Sequence, residues 1–288
     1  MSKISNYFLG VCWFLLSLLS SVLNDTISKY FHLNMHPSEI AFLRFFFSFI
    51  TLVPFVLIDR KKSLQTSFFY IHLIRGSILF LGMSGWIYGL GLCGLATATL
   101  MSFTIPLFTL ILAYFFLEEQ IIWQRWVATI IGFIGVAIAL GAGGEKFEIG
   151  ALLFAATSIG FAMLDIINKK FVKQETMLSM LFYSAIVSTI LSAIPALPYW
   201  RTPDTGAVIA FTILGASANL ILFFLLRAFR LLDASALAPY RYLELFLSSY
   251  AGYYIFNEIP DTKIIYGALI VIPSTLFIIY SEKTKYEN

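Results

Sequence analysis

Ten predominantly apolar stretches follow one another along the chain, each about long enough to cross a hydrocarbon core of roughly 30 Å. They cover residues 7–24, 38–58, 69–91, 96–117, 123–141, 149–166, 178–199, 206–226, 234–256 and 262–280. A bilayer leaves helices and closed barrels as the only ways to satisfy a spanning backbone. Apolar runs of this length without strict alternation read as helices, so an all-α membrane protein with ten transmembrane helices is expected. Composition agrees, with 59% hydrophobic residues, 12% charged residues and a mean hydropathy of +0.86. The opening "MSKISNYFLGVCWFLLSLLSSVLN" has the flavour of a signal peptide. Its apolar run is longer than a typical cleavable core and no small-x-small site follows, so it is read as a mature first helix.

Basic residues give the orientation. With the N-terminus inside, Lys3, Arg60, Lys61, Lys62, Arg125, Lys169, Lys170, Lys173, Arg227, Arg230, Lys283 and Lys285 fall on the inner side, and only Lys29, Lys146, Arg201 and Lys263 fall outside. That bias predicts cytoplasmic termini. In this setting the net charge of +3 has a topological meaning and does not point to nucleic acid.

The second constraint is internal repetition. "LNDTISKYF" at 23–31 returns in "LDIINKKF" at 164–171, setting Asp25 on Asp165, Lys29 on Lys169 and Phe31 on Phe171 at an offset of 140 residues. The same offset sets Ala96 on Ala236, Ala98 on Ala238, Tyr114 on Tyr254, Phe116 on Phe256 and Glu118 on Glu258. Two five-helix halves, 1–141 and 149–288, are expected, with a linker at 142–148. Because five is odd, the halves enter the membrane with opposite orientation, an inverted repeat of the kind that lets one site open to either side.

A charge near the bilayer centre costs about 2.5–3.5 kcal/mol on insertion scales, so each one needs a partner or a wet cavity. The ninth segment contains "APYRYLELFLSSY", with Tyr240, Arg241, Tyr242 and Glu244 close together. Arg241 and Glu244 are three apart and share a helix face, which suits either a structural ion pair or a site offering both signs to a zwitterionic or cationic ligand. Trp86 and Tyr88 in "GMSGWIYGL" sit among glycines 82, 85 and 89 that permit close helix approach; they suit a cavity or an interfacial belt. Pro106 in "SFTIPLFTL" is expected to free a carbonyl near Thr104, as a functional break or a simple kink. Arg44 is expected to pair with Glu39 or to snorkel, and Arg75 to anchor an inner face. Asp25 with Lys29, and Asp165 with Lys169, are i, i+4 pairs that either gate or cap their helix ends. Gly132 and Gly135 serve packing, most simply within one chain; oligomeric state is left open. Cys12 and Cys93 suggest neither a disulfide framework nor a metal site, and no nucleophile-base arrangement or phosphate-binding loop is visible, so neither enzyme activity nor a cofactor is expected.

"ATATLMSFTIPLFTLILAYFFLEE", ending the fourth helix of a ten-helix double repeat, resembles the EamA branch of the drug/metabolite transporter superfamily. "GWIYGL", "IIWQRWV", "FAMLDIINKKFV", "APYRYLEL" and "IPSTLFIIYSEK" are similar, more narrowly, to the S-adenosylmethionine uptake carriers of obligate intracellular bacteria within that branch. The resemblance runs from the first helix to the C-terminus. It implies import of S-adenosylmethionine by alternating access, with exchange for S-adenosylhomocysteine a further expectation. Amino-acid or amine export on the same fold is the alternative, and a non-transporting scaffold or lipid-modifying enzyme a rival of another class. From side-chain type alone, Glu244 suits the ligand ammonium, Arg241 its carboxylate, and Trp86, Tyr240 or Tyr242 its adenine or sulfonium.

Overall fold

The computed structural model describes residues 3–31, 35–58, 65–92, 102–139, 149–257, 266–267, 269–274, 276–277 and 280. Within these, the chain forms α1 (Lys3–Phe31), α2 (Pro37–Ile58), α3 (Phe69–Leu92), α4 (Ile105–Leu117) and α5 (Trp123–Ala139). The second half forms α6 (Ile149–Phe171), α7 (Met177–Ala196), α8 (Thr205–Leu231), the short α9 (Ala234–Leu237) and α10 (Glu244–Phe256). Short 3₁₀ segments, Leu197–Tyr199 and Ala238–Leu243, follow α7 and α9. The described residues after 265 are helical. Strands are absent among the described residues. The expected linker 142–148, Cys93, Ala96, Ala98, Glu258 and the side chain of Lys29 lie outside the described residues.

Among the described residues, five helices are long and apolar enough to cross a membrane: Ser5–Ile27, Pro37–Ile58, Leu152–Phe171, Met177–Tyr199 and Thr205–Leu231. The fourth element of each half departs from a simple span. At 13 residues, α4 and α10 each rise only about 20 Å, short of a hydrocarbon core. The ninth apolar segment is one helix in the sequence reading, yet it turns through α9, the 3₁₀ stretch and α10. Pro239 sits at the start of that stretch, where it fits without an N–H to satisfy. Likewise Pro106 lies in the first turn of α4, after a turn at Phe103 and Thr104. The Thr104 carbonyl is not freed by Pro106, because it accepts the backbone N–H of Phe108 at 3.1 Å. Proline removes the bond to the residue four before it, so the expectation was off by two positions.

Packing relates the two halves. The first helix of one half lies on the third of the other, as α1 on α8 and α6 on α3. The second helices α2 and α7 pack together, and each also packs on the other half's third helix. The first helix of each half also meets the other's fourth, as α6 on α4 and α1 on α10. The register of the repeat shifts along the chain. Both α1 and α6 end on a Phe, Phe31 and Phe171, 140 apart, whereas α4 and α10 end in left-handed caps at Glu118 (φ 54°) and Asn257 (φ 53°).

Lipid tails are as apolar as leucine, so close packing and interhelical hydrogen bonds hold such a bundle together. Asn24 on α1 donates to the Leu214 carbonyl and to Ser217 on α8, both at 2.9 Å. Asn219 donates to the Ser48 carbonyl at 2.8 Å and to Thr51, while Ser48 donates back to Asn219 Oδ1 at 2.7 Å. These bonds pin α8 to α2 where Gly215 allows contact; a Cβ there would stand 2.4 Å from the backbone of Phe47 and Ser48. Backbone cannot swing aside as a side chain can. Gly215→Ala is expected to cost about 1–3 kcal/mol, read as a lower unfolding midpoint in detergent; an unchanged midpoint would mean that α8 and α2 separate freely.

Candidate functional site

Where α1, α2 and the bent fourth element of the second half meet, several charges collect. Asp25 on α1 is exposed and lies within electrostatic reach of Glu244 and Arg44. Glu244, at the start of α10, accepts a hydrogen bond from Ser21 on α1 and lies within reach of Arg241. Arg44 does not take Glu39 as its partner, because Glu39 Oε1 accepts the backbone N–H of Arg201 at 2.9 Å. Arg44 instead donates through Nη1 to Met83 Sδ at 3.1 Å, and its buried Nε has no hydrogen-bond partner. A guanidinium with a buried, unspent donor within reach of the Asp25 carboxylate is the feature that sequence reasoning missed. The signal was there in a charge midway along an apolar helix, but the nearby Glu39 offered a local explanation.

Arg241 reaches away from Glu244. Its Nη2 donates to Asp165 Oδ2 on α6 at 2.6 Å, and both side chains are largely shielded. The 3₁₀ turn spanning Ala238–Leu243 is what separates the two: on a regular helix they would share a face, but here one engages α6 and the other α1. Asp165 consequently pairs with Arg241 and not with Lys169. Lys169 Nζ donates to the carbonyls of Phe229, at 2.8 Å, and Leu232, where α8 ends.

The aromatic candidates are dispersed. Tyr240 is buried, with its hydroxyl 2.7 Å from that of Tyr7, in the core formed by α1 and α8. Tyr242 is buried against Gly132 and Phe103 and donates to the Thr129 carbonyl at 2.9 Å, which ties the bend to α5. Gly132 and Gly135 both pack within the chain, the latter on Ile270 and Val271. The glycines of α3 face α6, where a Cβ at 82, 85 or 89 would meet Phe161, Thr157 or Phe154. That approach holds Trp86 half-buried and edge-on to Phe154, with ring centroids 4.9 Å apart. Tyr88 is exposed and hydrogen-bonds Ser38 at 2.9 Å beside a cleft of about 90 Å³ shared with Ser84 and Pro195. Thr104 is half-buried at the start of α4.

On the Asp165 side of the charged cluster, a layer of polar contacts ties the halves together. Glu119 accepts the backbone N–H groups of Ala234 and Ser235 at 3.0 and 3.1 Å. Buried Arg125 donates to Ser235 at 2.6 Å and pairs with Asp233 at 3.2 Å. Arg75 is no surface anchor. It is buried and donates to Asn168 at 2.8 Å and to the Met180 carbonyl at 2.9 Å, next to a buried His72–Glu175 pair at 3.4 Å. A metal site is not formed among the described residues.

Known proteins resemble this chain along nearly its whole length. It is 56% identical over 280 residues to an S-adenosylmethionine uptake transporter of Rickettsia bellii, covering 97% of this chain and 96% of that one. A protein of the same description from Rickettsia prowazekii is 54% identical, covering 97% and 95%. A riboflavin transporter of Vibrio cholerae is 26% identical, covering 96% and 94%. A solved crystal structure superposes with a TM-score of 0.78 at 18% identity, over 95% of this chain and 96% of that one, a likeness of fold. The EamA-like transporter family model matches residues 8–141 and again 148–280, and with both halves accounted for the chain belongs to that family.

Proposed function

We propose that this protein imports S-adenosylmethionine by alternating access. What supports the substrate is the identity of 56% and 54% to proteins described as S-adenosylmethionine uptake transporters, over almost the full chain. The site suits that ligand. The carboxylates of Asp25 and Glu244 lie within electrostatic reach of each other, and the arginines Arg44 and Arg241 lie within reach of one or the other, so groups of both signs are offered together. S-adenosylmethionine carries a sulfonium, an ammonium and a carboxylate, hence one positive charge. Glu244 and Asp25 take the two cationic groups, Arg241 the carboxylate, and Trp86 offers a ring face to the sulfonium or adenine, worth up to about 2 kcal/mol when desolvated. Tyr240 and Tyr242 shape the bend that carries Arg241 and Glu244, and Thr104 and Tyr88 line the approach.

In this reading the ten helices form two inverted halves, 1–141 and 149–288, in a bacterial inner membrane with both termini cytoplasmic. Asp25 and Asp165 are repeat partners, yet Asp25 is exposed and Asp165 is shielded by Arg241. That difference supports a carrier open on the Asp25 side and closed on the other, with Asp25–Lys29 and Asp165–Lys169 marking the two gates. Exchange for S-adenosylhomocysteine would return the carrier with a ligand that has lost the sulfonium charge.

The test is uptake of radiolabelled S-adenosylmethionine by cells expressing the chain. Saturable uptake above empty-vector cells, competed by unlabelled S-adenosylhomocysteine and not by amino acids, is expected. No uptake by a protein shown to be in the membrane would remove the substrate assignment, and competition by amino acids would favour the alternative carrier.

A further inference from the structure

The pair of Arg241 and Asp165 joins the bent fourth element to α6 across 2.6 Å, with 19% and 9% of the two side chains exposed. An arginine fork accepts one carboxylate in its preferred bidentate geometry, and two carboxylates drawn to the same fork repel one another in a poorly solvated site. Asp165 thus presents to Arg241 the same functional group that an amino-acid ligand would bring.

Neighbouring contacts show what this pair holds shut. Beyond it, in the same layer, Lys169 grips the end of α8, Arg125 pairs with Asp233, and Glu119 caps the start of α9. Each of these joins segments flanking the bend. Among them, Arg241–Asp165 is the contact that shares a residue with the charged cluster, through the proximity of Arg241 to Glu244. The equivalent aspartate of the first half, Asp25, is exposed and lies within electrostatic reach of Glu244.

We infer that Asp165 is a resident competitor for the substrate carboxylate. A ligand carboxylate arriving at Arg241 displaces Asp165, frees α6 from the bend, and so makes the carboxylate a condition for passage and not only for binding. Asp165 then sets specificity without belonging to the loaded site. This rests on the assignment of Arg241 to the ligand carboxylate made above.

The test compares S-adenosylmethionine with its decarboxylated form, which keeps the sulfonium, amine and adenine. Ala238, buried beside the bend, is changed to Cys in a Cys12→Ser/Cys93→Ser background, and its labelling by a thiol reagent is followed together with ligand binding to the purified protein. Both ligands are expected to bind, and only S-adenosylmethionine to raise labelling several-fold. Asp165→Asn is expected to label without ligand and to bind S-adenosylmethionine about tenfold more tightly, the size of one charge-assisted hydrogen bond, with affinity for the decarboxylated ligand unchanged. Equal labelling with both ligands, while both bind, overturns the role of Asp165 and leaves the substrate intact; this comparison needs no change at Asp165 and stands even if Asp165→Asn misfolds. Tighter binding of both ligands by Asp165→Asn overturns it too. Failure of the parent protein to bind S-adenosylmethionine overturns the substrate assignment and the inference together.

Discussion

Arg241→Gln and Glu244→Gln are each expected to lower the rate of S-adenosylmethionine uptake by about two orders of magnitude at equal amounts of inserted protein. Truncating one member of a buried, hydrogen-bonded charge pair costs about 2–5 kcal/mol, and in the proposed site both residues make such a pair with the ligand. Glutamine keeps the size and some hydrogen-bonding capacity and removes the charge. Arg241→Gln also leaves Asp165 without its partner, so a fall in uptake could arise from a disturbed bundle. The double variant Arg241→Gln/Asp165→Asn removes that orphaned charge. It is expected to insert and unfold like the parent protein while uptake stays low. If either single variant transports within twofold of the parent, the bent segment is not the binding element.

The second large effect is on stability. Arg75→Leu is expected to destabilise the protein by about 3–5 kcal/mol, the cost of breaking a buried polar cluster from one side. Arg75 joins α3 to Asn168 on α6 and to the Met180 carbonyl on α7, and sits beside the carboxylate of Glu175. Its loss leaves these groups without a cationic neighbour in a region from which water is excluded. The unfolding midpoint in detergent should fall by roughly 10 °C, while whatever protein remains folded keeps its ordinary half-saturation concentration for substrate. A midpoint within 2 °C or so of the parent would show that the cluster is not a structural tie. A shifted half-saturation would place it within reach of the ligand.

Much of the architecture was legible in the residues. Apolar length fixes helices in a bilayer, because no other open structure satisfies the backbone there. Glycine spacing on α3 announced a close helix face, and that face packs on Thr157, Phe154 and Phe161. Charges within the helices are costly, and Arg241, Arg44 and Arg75 each take a partner on another helix. What misled was local logic. Spacings of three, four and five put Arg241 with Glu244, Asp165 with Lys169 and Arg44 near Glu39, and the structure instead gives Arg241 to Asp165, Lys169 to the end of α8 and Arg44 to Met83.

Those errors have a common physical cause. Within one helix, side chains three or four apart meet because rise and twist are fixed, so sequence alone determines the local neighbours, the membrane-spanning class and the doubling of the chain. A bend such as Ala238–Leu243 changes which way each side chain points, and the partners then come from helices 76 or more positions away. Sequence spacing carries no record of that choice. Which arginine meets Asp165, which aspartate is exposed and which is shielded were decided only when the helices packed, because in a poorly solvated interior a charge takes the partner that can satisfy it, however distant along the chain.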